Sequence, residues 1–334
     1  MGQAVERPAR ARIDSDKPRR AQETTAVTMS NRFRGRESTL RVIAGTSAAV
    51  DWAPMQRLDI GSIAVDQYSQ TALVDEILHH ALFGDTTRQL VTANAQFYVF
   101  AQKSRRFREC LRDADYICAD GMPIVWACNS LYGGRVRRIA GVNLIEKLCQ
   151  RGATHRLRVF LLGGRPGAAN TTAEILKRRH PGIQIAGVSC PPFGFERRED
   201  SLREVLDQIA SAKPHVLFVG LGAPKQEFFI DHHIRSLRVP LVIGIGGSFE
   251  ILSGKLRRAP AWMQSSGLEW AYRLSQEPAR LWRRYLIGNS EFLWHVVKSR
   301  LTSVSRKENG IVFGPQMGSA PIVIAGGYSN KSSD

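Results

Sequence analysis

Short apolar runs alternate along the middle of the chain with longer segments in which apolar residues recur at helical spacing. The runs are four to eight residues long, which is typical of buried strands. They are apolar throughout rather than at every second position, as in parallel strands covered on both faces. The runs are "RQLVTAN" (88–94), "YICA" (116–119), "RVFLLGG" (158–164), "IQIAGV" (183–188), "HVLFVGLG" (215–222) and "PLVIGIGG" (240–247). The pattern predicts an α/β fold, a parallel sheet with helices on both faces.

Polar residues and glycines follow nearly every predicted strand. In Rossmann-like sheets, ligands bind beyond the carboxyl ends of the strands. The residues at this edge are Thr92, Asn94, Asp120, Gly121, Gly163, Gly164, Gly220, Gly222, Gln226, Gly244, Gly246 and Gly247. Asp120 supplies a carboxylate at the predicted ligand edge, which makes it a candidate acid or base.

Glycine-rich turns such as "LLGGRPG" and "VGLGAP" join strands to helices. Their backbone N–H groups could face a phosphate, and on this interpretation Gly163, Gly164, Gly222 and Gly246 bind substrate. The alternative is tight turns that need glycine for conformation alone. The GxGxxG fingerprint is incomplete, and no acidic residue ends the strand after "LLGG". A nicotinamide-dependent oxidoreductase is therefore kept only as an alternative.

The net charge of the chain is +17 at pH 7. Such a surface attracts nucleic acid, anionic lipid or phosphorylated small molecules. A basic nucleic-acid-binding protein is thus a second alternative. The aromatic platforms and fold motifs of nucleic-acid readers are missing, so we expect no nucleic-acid partner.

Metal-binding patterns are weak in this sequence. The five cysteines form no CxxC pair, and we expect buried, reduced thiols in a cytosolic protein. The "DAD" at 113–115 matches the DxD of metal-dependent sugar transferases, but it precedes a strand and so lies at the edge opposite the predicted site. A turn or capping role is expected for it. We predict no metal and no cofactor.

Composition divides the chain into four segments. Residues 1–57 are polar and Arg-rich, and we expect a basic, disordered extension. Residues 58–254 contain all the predicted strands and form the predicted α/β domain. A basic helical appendage is predicted over 255–305, and a flexible tail over 306–334.

The predicted appendage contains "GLEWAYRLSQEPARLWRRYL" (267–286). Arg273, Arg280 and Arg284 share one helical stripe, with Arg283 alongside, next to an apolar, aromatic stripe. Pro278 should kink or divide this helix. The stripe is either a solvated basic face or a basic, aromatic lid over a pyrophosphate or a lipid headgroup.

Several segments, in order and over roughly 60–296, resemble the WecG/TagA/CpsF family of bacterial glycosyltransferases. The segments are "TANAQFYVFAQ", "ADYICADGMPIVWA", "RRIAGVNLIEKL", "VFLLGGRPG", "PHVLFVGLGAPKQE", "IGIGGSFEILSGKLRRAPAWMQ" and "GLEWAYRLSQEPARLWRRYL". The resemblance implies a Rossmann-like domain whose C-terminal appendage closes over the site.

The resemblance also implies an activity and its partners. The reaction is an inverting transfer of N-acetylmannosamine, its uronic acid or another hexose from a UDP-sugar to a polyprenyl-diphosphate-linked sugar, in cell-surface or exopolysaccharide biosynthesis. The enzyme would be cytoplasmic and peripheral, on the anionic inner face of the cytoplasmic membrane. The resemblance is compatible with a homo-oligomer.

Site residues carry over by motif. Asp120 of the "DG" motif corresponds to the proposed general base. The substrate-binding positions of the family correspond here to Thr92, Asn94, Arg138, Gln226, Arg273, Arg280 and Arg283. Two departures bear on donor and acceptor: Asn143 stands where the family often has Asp, and "DGMP" replaces the "DGIG" of the teichoic-acid branch.

Overall fold

The computed structural model describes residues 29–33, 36–40, 56–134, 136–283, 286 and 288–308. The chain divides into two compact units, Met1–Ala53 and Pro54–Asp334. In the first unit, strands β1 (Met29–Phe33) and β2 (Arg36–Leu40) pair in an antiparallel hairpin. The other residues of the predicted extension up to residue 55, and those of the predicted tail beyond residue 308, lie outside the described residues.

A second antiparallel hairpin opens the second unit, formed by β3 (Arg57–Asp59) and β4 (Ala64–Asp66). The buried carboxylate of Asp66 accepts a hydrogen bond from Arg57 Nε at 2.6 Å and another from the Ile117 backbone N–H at 2.7 Å. Ile117 belongs to the strand that leads to Asp120. The hairpin therefore buttresses the strand that carries the candidate base.

Six parallel strands form the central sheet. In chain order they are β5 (Arg88–Ala93), β6 (Tyr116–Ala119), β7 (Arg158–Gly163), β8 (Gln184–Ser189), β9 (Val216–Gly220) and β10 (Leu241–Gly244). Their order across the sheet is β6-β5-β10-β9-β7-β8, and neighbours are parallel throughout. Every predicted strand is confirmed to within three residues at each end.

Helices cover both faces of the sheet. They are α1 (Gln70–Phe83), α2 (Ala95–Lys103), α3 (Arg105–Asp113), α4 (Met122–Tyr132), α5 (Gly141–Gly152), α6 (Ala168–Arg179), α7 (Glu199–Ala212), α8 (Lys225–Leu237) and α9 (Ser248–Leu252). Successive strand residues point to opposite faces. Leu90 and Phe218 accordingly pack with α1, α5, α6 and α9, while Val91 packs with α2, α3 and α4, and Val219 with α7 and α8. The predicted Rossmann-like α/β architecture is confirmed.

The segment 95–114, predicted as one or two helices, forms two. Ser104 separates them: its N–H donates to Phe100 O at 2.8 Å, and its hydroxyl accepts the Phe107 N–H at 3.2 Å. The same residue thus ends α2 and caps α3, which turns the chain toward β6.

The C-terminal segment is helical. Its helices are α10 (Ala261–Ser265), α11 (Glu269–Gln276), α12 (Pro278–Trp282) and α13 (Gly288–Glu308). Pro278 takes the first position of α12, where its missing N–H costs nothing, and the predicted division of the helix is confirmed. Arg284 and Tyr285 lie outside the described residues.

These C-terminal helices pack against helices that cover the sheet. Leu281 and Phe292 are buried, and the Phe292 ring meets Tyr98 of α2 edge-on, with centroids 5.0 Å apart. Lys103 at the end of α2 forms an ion pair with Glu291 at 2.9 Å. Among the described helices, none combines the length and the apolar character needed to cross a membrane.

Candidate active site

A cleft opens where β5 and β6 end, between the start of α2, the start of α4 and the C-terminal helices. Its lining includes Asn94, Asp120, Arg138, Glu269 and Arg273. The first three come from the sheet domain, and the last two come from α11. The structure thus brings together four residues that the sequence predicted as site residues, and adds Glu269.

Asp120 is fixed at the end of β6 by its own backbone. Its N–H donates to Ala93 O at 2.8 Å, which extends the pairing of β6 with β5 by one residue. Gly121 follows, and a Cβ there would lie 3.2 Å from the Cβ of Asn94, so a side chain would press on this neighbour. The strand therefore ends with a partly buried carboxylate next to the first turn of α4.

The environment of Asp120 favours its neutral form. Burial raises the pKa of this carboxyl above its ordinary value, and the negative charge of Glu269 adds to the effect. The positive charges of Arg138 and Arg273 and a hydrogen bond from the Gly141 N–H oppose it. A carboxylate with a raised pKa is a stronger proton acceptor than a free aspartate, which suits a general base.

Arg138 joins the sheet domain to the C-terminal helices. Its Nη1 donates to Gln264 O at 3.2 Å, and its Nη2 is ion-paired with Glu269. Both side chains of the pair are largely buried. The guanidinium is thus held in the cleft by two groups of the appendage.

Asn94 and Thr92 differ in accessibility, although both end β5. Asn94 lines the cleft, and its Oδ1 caps α2 by accepting the Gln96 N–H at 3.0 Å. Thr92 is 4% exposed, and its hydroxyl donates to Gly244 O at 2.9 Å. In this arrangement Thr92 binds the neighbouring strand, and its predicted contact with substrate stays a prediction.

Gln226 ties two strand-end loops together. Its Oε1 accepts the N–H of Gly222 at 3.2 Å and that of Gly246 at 3.0 Å, and its Nε2 donates to Glu227 at 2.7 Å. The side chain is 1% exposed. It fixes the loops after β9 and β10, so an effect of Gln226 on substrate would act through these loops.

The glycine pair after β7 begins the turn that leads into α6. Gly163 and Gly164 have φ values of 92° and 79°, a region that favours glycine, and the Gly164 N–H donates to Gly220 O at 2.9 Å. Next to them, Glu250 is 7% exposed: its Oε1 accepts the Arg165 N–H at 2.8 Å, and its Oε2 is buried without a hydrogen-bond partner in the described part of the chain. A buried carboxylate thus faces this turn, and it suits a hydroxyl or N–H group better than the phosphate that the glycine pattern suggests, so the predicted substrate contact of Gly163 and Gly164 stays a prediction.

Arg280 and Arg283 are not among the residues that line the cleft in the described part of the chain. Arg280 is ion-paired with Glu277, which also binds Arg165 of the glycine turn. Although burial raises the pKa of Glu277, the hydrogen bond and charge of Arg280 and the charge of Arg165 hold it below its usual range. Arg283 is exposed and lies over the Trp282 ring at 5.2 Å. Their predicted role at a diphosphate stays a prediction.

Sequence reasoning missed Glu250 and Glu269 as site residues. Both lie in segments that carry the family resemblance, "GGSFE" and "GLEW". An acidic residue in the first turn of a helix is usually explained by the helix dipole, which hid the signal. The "DAD" carboxylate Asp115 behaves as predicted, since it accepts the Gln89 N–H at 2.9 Å at the other edge of the sheet.

Asn143, which stands where the resemblance predicts Asp, binds an arginine. Asn143 is the third residue of α5, and its Oδ1 accepts a hydrogen bond from Arg258 Nη2 at 2.7 Å. The Nε of Arg258 is buried and has no hydrogen-bond partner in the described part of the chain. The arginine therefore meets a neutral acceptor at the position where the family resemblance predicts a carboxylate.

We expect Asn143→Asp to raise the free energy of unfolding by about 1 kcal/mol, since a charge-assisted hydrogen bond replaces a neutral one. Thermal unfolding measures the gain. Asn170→Asp is the matched control, because Asn170 is the third residue of α6 and is exposed, so it reports the helix-dipole contribution alone. Equal stabilisation by the two variants would contradict the role of Arg258.

Comparison with known proteins identifies the family. The model of the glycosyl transferase WecG/TagA/CpsF family matches residues 58–306. An N-acetylglucosaminyldiphosphoundecaprenol N-acetyl-beta-D-mannosaminyltransferase of Bacillus spizizenii is 38% identical over 197 residues, 59% of this chain and 74% of that protein. A protein of the same name from Bacillus subtilis is 30% identical over 262 residues, 78% of this chain and 96% of that protein. The chain therefore belongs to the WecG/TagA/CpsF family and is a glycosyltransferase.

Proposed function

We propose that this enzyme transfers an N-acetylmannosaminyl group from its UDP-sugar to an N-acetylglucosaminyl-diphosphate-linked polyprenol, with inversion at the anomeric carbon. The observation that carries the proposal is the cleft itself, which sets the half-buried carboxylate of Asp120 beside the guanidinium groups of Arg138 and Arg273. The names of both relatives supply the donor sugar and the acceptor class.

In the proposed reaction, a hydroxyl of the acceptor sugar attacks the anomeric carbon and UDP leaves from the opposite face. Asp120 takes the hydroxyl proton as the new bond forms, and its raised pKa matches it to this task. Negative charge builds on the departing diphosphate. Arg138 and Arg273 would stabilise that charge.

The nucleotide would lie along the strand ends, away from Asp120 and toward the glycine turns. Gly222 and Gly246 have positive φ values of 77° and 53°, and a Cβ at either position would meet nothing within 4 Å. There is thus room for a ligand beside the Cα atoms of both glycines, whereas their N–H groups already donate to Gln226 Oε1. The buried Oε2 of Glu250 would accept a hydrogen bond from a hydroxyl or N–H group of the nucleoside.

The lipid acceptor requires contact with a membrane surface, and the C-terminal helices have a suitable composition. The large exposed apolar residues of the segment after Gly254, among those that the structure describes, are Trp262, Leu268, Trp282, Leu286, Leu293, Trp294 and Val297. Arg280 and Arg283 lie on the same segment. Exposed tryptophans beside cations are typical of helices that dock on anionic lipid, and we propose that this segment faces the inner leaflet of the cytoplasmic membrane.

The test is release of UDP from a panel of donors, measured with and without a synthetic N-acetylglucosaminyl-diphosphate-linked polyprenol. The panel contains UDP-N-acetylmannosamine, its uronic acid and UDP-glucose. We expect acceptor-dependent release that is fastest with UDP-N-acetylmannosamine. A faster reaction with another donor would overturn the proposed sugar, and a lack of acceptor dependence would overturn the proposed acceptor.

A further inference from the structure

We propose that Glu269 is a positioning residue for catalysis: by binding Arg138, it fixes the guanidinium beside Asp120 and completes the charge environment of the base only while α11 is docked. The proposal rests on the proposed function, in which Asp120 is the base. It assigns a role to a carboxylate that does not itself transfer the proton.

The Arg138–Glu269 ion pair joins two different parts of the fold. Arg138 comes from the loop before α5, whereas Glu269 is the first residue of α11. Their side chains are 15% and 17% exposed and directly paired, and both line the cleft with Asp120. A guanidinium held by a carboxylate in this way has a fixed direction.

The two carboxylates of the cleft differ in their partners. Glu269 contacts a guanidinium directly, so its charge is compensated where it lies. Asp120 accepts the Gly141 N–H and interacts with Arg138 and Arg273 electrostatically. Asp120 is therefore the carboxylate with capacity for a proton, and Glu269 is the one that positions the cation.

The turn before α11 packs closely against α4. Gly267, two residues before Glu269, has a φ of 77°, and a Cβ there would lie 2.7 Å from the Trp126 ring and 3.1 Å from Met122 Cβ. Only glycine lets the turn approach α4 this closely. Because Arg138 also donates to Gln264 O, both appendage groups on this guanidinium depend on the same docking.

The charged and titratable groups around Asp120 determine the direction in which its pKa moves. They are Glu269 and Arg273 from α11, Arg138 from the loop before α5, and Cys118 from β6, which burial keeps as a neutral thiol by raising its pKa. Neighbouring cleft residues from α2, α4 and α13 carry no titratable side chain. Removing the charge of Glu269 therefore lowers the pKa of Asp120, because a repulsive charge is lost while Arg138 keeps its hydrogen bond to Gln264 O and stays near Asp120.

The experiment is the pH profile of kcat/KM for the full-length Glu269→Gln variant with the preferred donor and the lipid-linked acceptor. A base must be deprotonated to work, so activity rises with pH through its pKa, and we expect this acid limb to move to lower pH. Below the wild-type midpoint, the variant should retain an at least about twofold larger fraction of its own plateau. The plateau itself should fall about tenfold, because the one remaining hydrogen bond to Gln264 O no longer fixes the direction of the Arg138 guanidinium.

Glu291→Gln is the matched control, because Glu291 also ties the appendage to the sheet domain but pairs with Lys103 outside the cleft lining. Its pH profile should equal that of the wild type. An unchanged acid limb in Glu269→Gln would overturn the proposal, even if the rate or the melting temperature fell. If that variant does not fold, Arg138→Gln replaces it: its acid limb must move to higher pH, and an unmoved limb refutes the coupling.

Failure of the proposed function is visible separately. If Asp120→Asn keeps its turnover, Asp120 is not the base and the function must be revised. If Asp120→Asn is inactive while Glu269→Gln keeps the wild-type acid limb, the base assignment stands and the role of Glu269 is wrong.

Discussion

Asp120→Asn is expected to lower turnover by about two orders of magnitude or more, which is the usual contribution of a general base. The amide keeps the size of the side chain and can still accept the Gly141 N–H, but it cannot take a proton. The measurement is kcat for acceptor-dependent UDP release at saturating donor and acceptor. Near-native turnover would remove Asp120 from the mechanism.

Thermal unfolding separates this loss from damage to the fold. The folded-state pKa of Asp120 is raised, so the native state binds the proton more tightly than the unfolded chain does. Its contribution to stability is therefore favourable at low pH and is lost as pH rises through the unfolded and then the folded pKa. At neutral pH the charged carboxylate costs stability, and Asp120→Asn should melt at or above the wild-type temperature.

Ending the chain after Gly254 is expected to abolish transfer while leaving a folded sheet domain. All six strands of the central sheet end by Gly244, and the two buried clusters that hold Leu90 and Val219 contain no residue beyond 252. The truncation removes Glu269 and Arg273 from the cleft and leaves Arg138 without its appendage partners. Acceptor-dependent UDP release and a cooperative melting curve measure the two effects.

The truncated protein should also be less stable than the full chain. Phe292 is fully buried against Tyr98, and loss of a buried phenylalanine costs about 3–5 kcal/mol. A chain that ends after Glu308 keeps all described helices and is the control, with an expected full rate of transfer. Transfer at that rate by the shorter chain would show that α11 is not part of the catalytic site.

Local patterns were sufficient to predict the elements of this fold. Continuous apolar runs such as Tyr116–Ala119 cannot serve as exposed strands, and glycine or proline punctuates the helices that follow them. The order of the strands was not predictable in this way. It depends on long-range pairing, such as that of β10 with both β5 and β9, which leaves no local signature.

Local patterns also predicted part of the candidate site. Asn94, Asp120 and Arg138 were expected near one edge, and the cleft contains all three. Which way a polar residue points at that edge is decided by packing: Thr92 and Gln226 turn inward to satisfy backbone groups. Glu269 was missed because only the docked position of α11 reveals its partner.

The position of β10 affects how the protein is made. This strand lies at the centre of the sheet, between β5 and β9, yet it is the last of the six to leave the ribosome. About 150 residues separate it from the end of β5, which at roughly 5–20 residues per second corresponds to about 8–30 s of synthesis. During that time β5 has an unpaired edge that can join another chain. The nascent enzyme is therefore most vulnerable to aggregation just before β10 inserts between β5 and β9. A chaperone that shields the unpaired edge of β5 would raise the yield of folded protein.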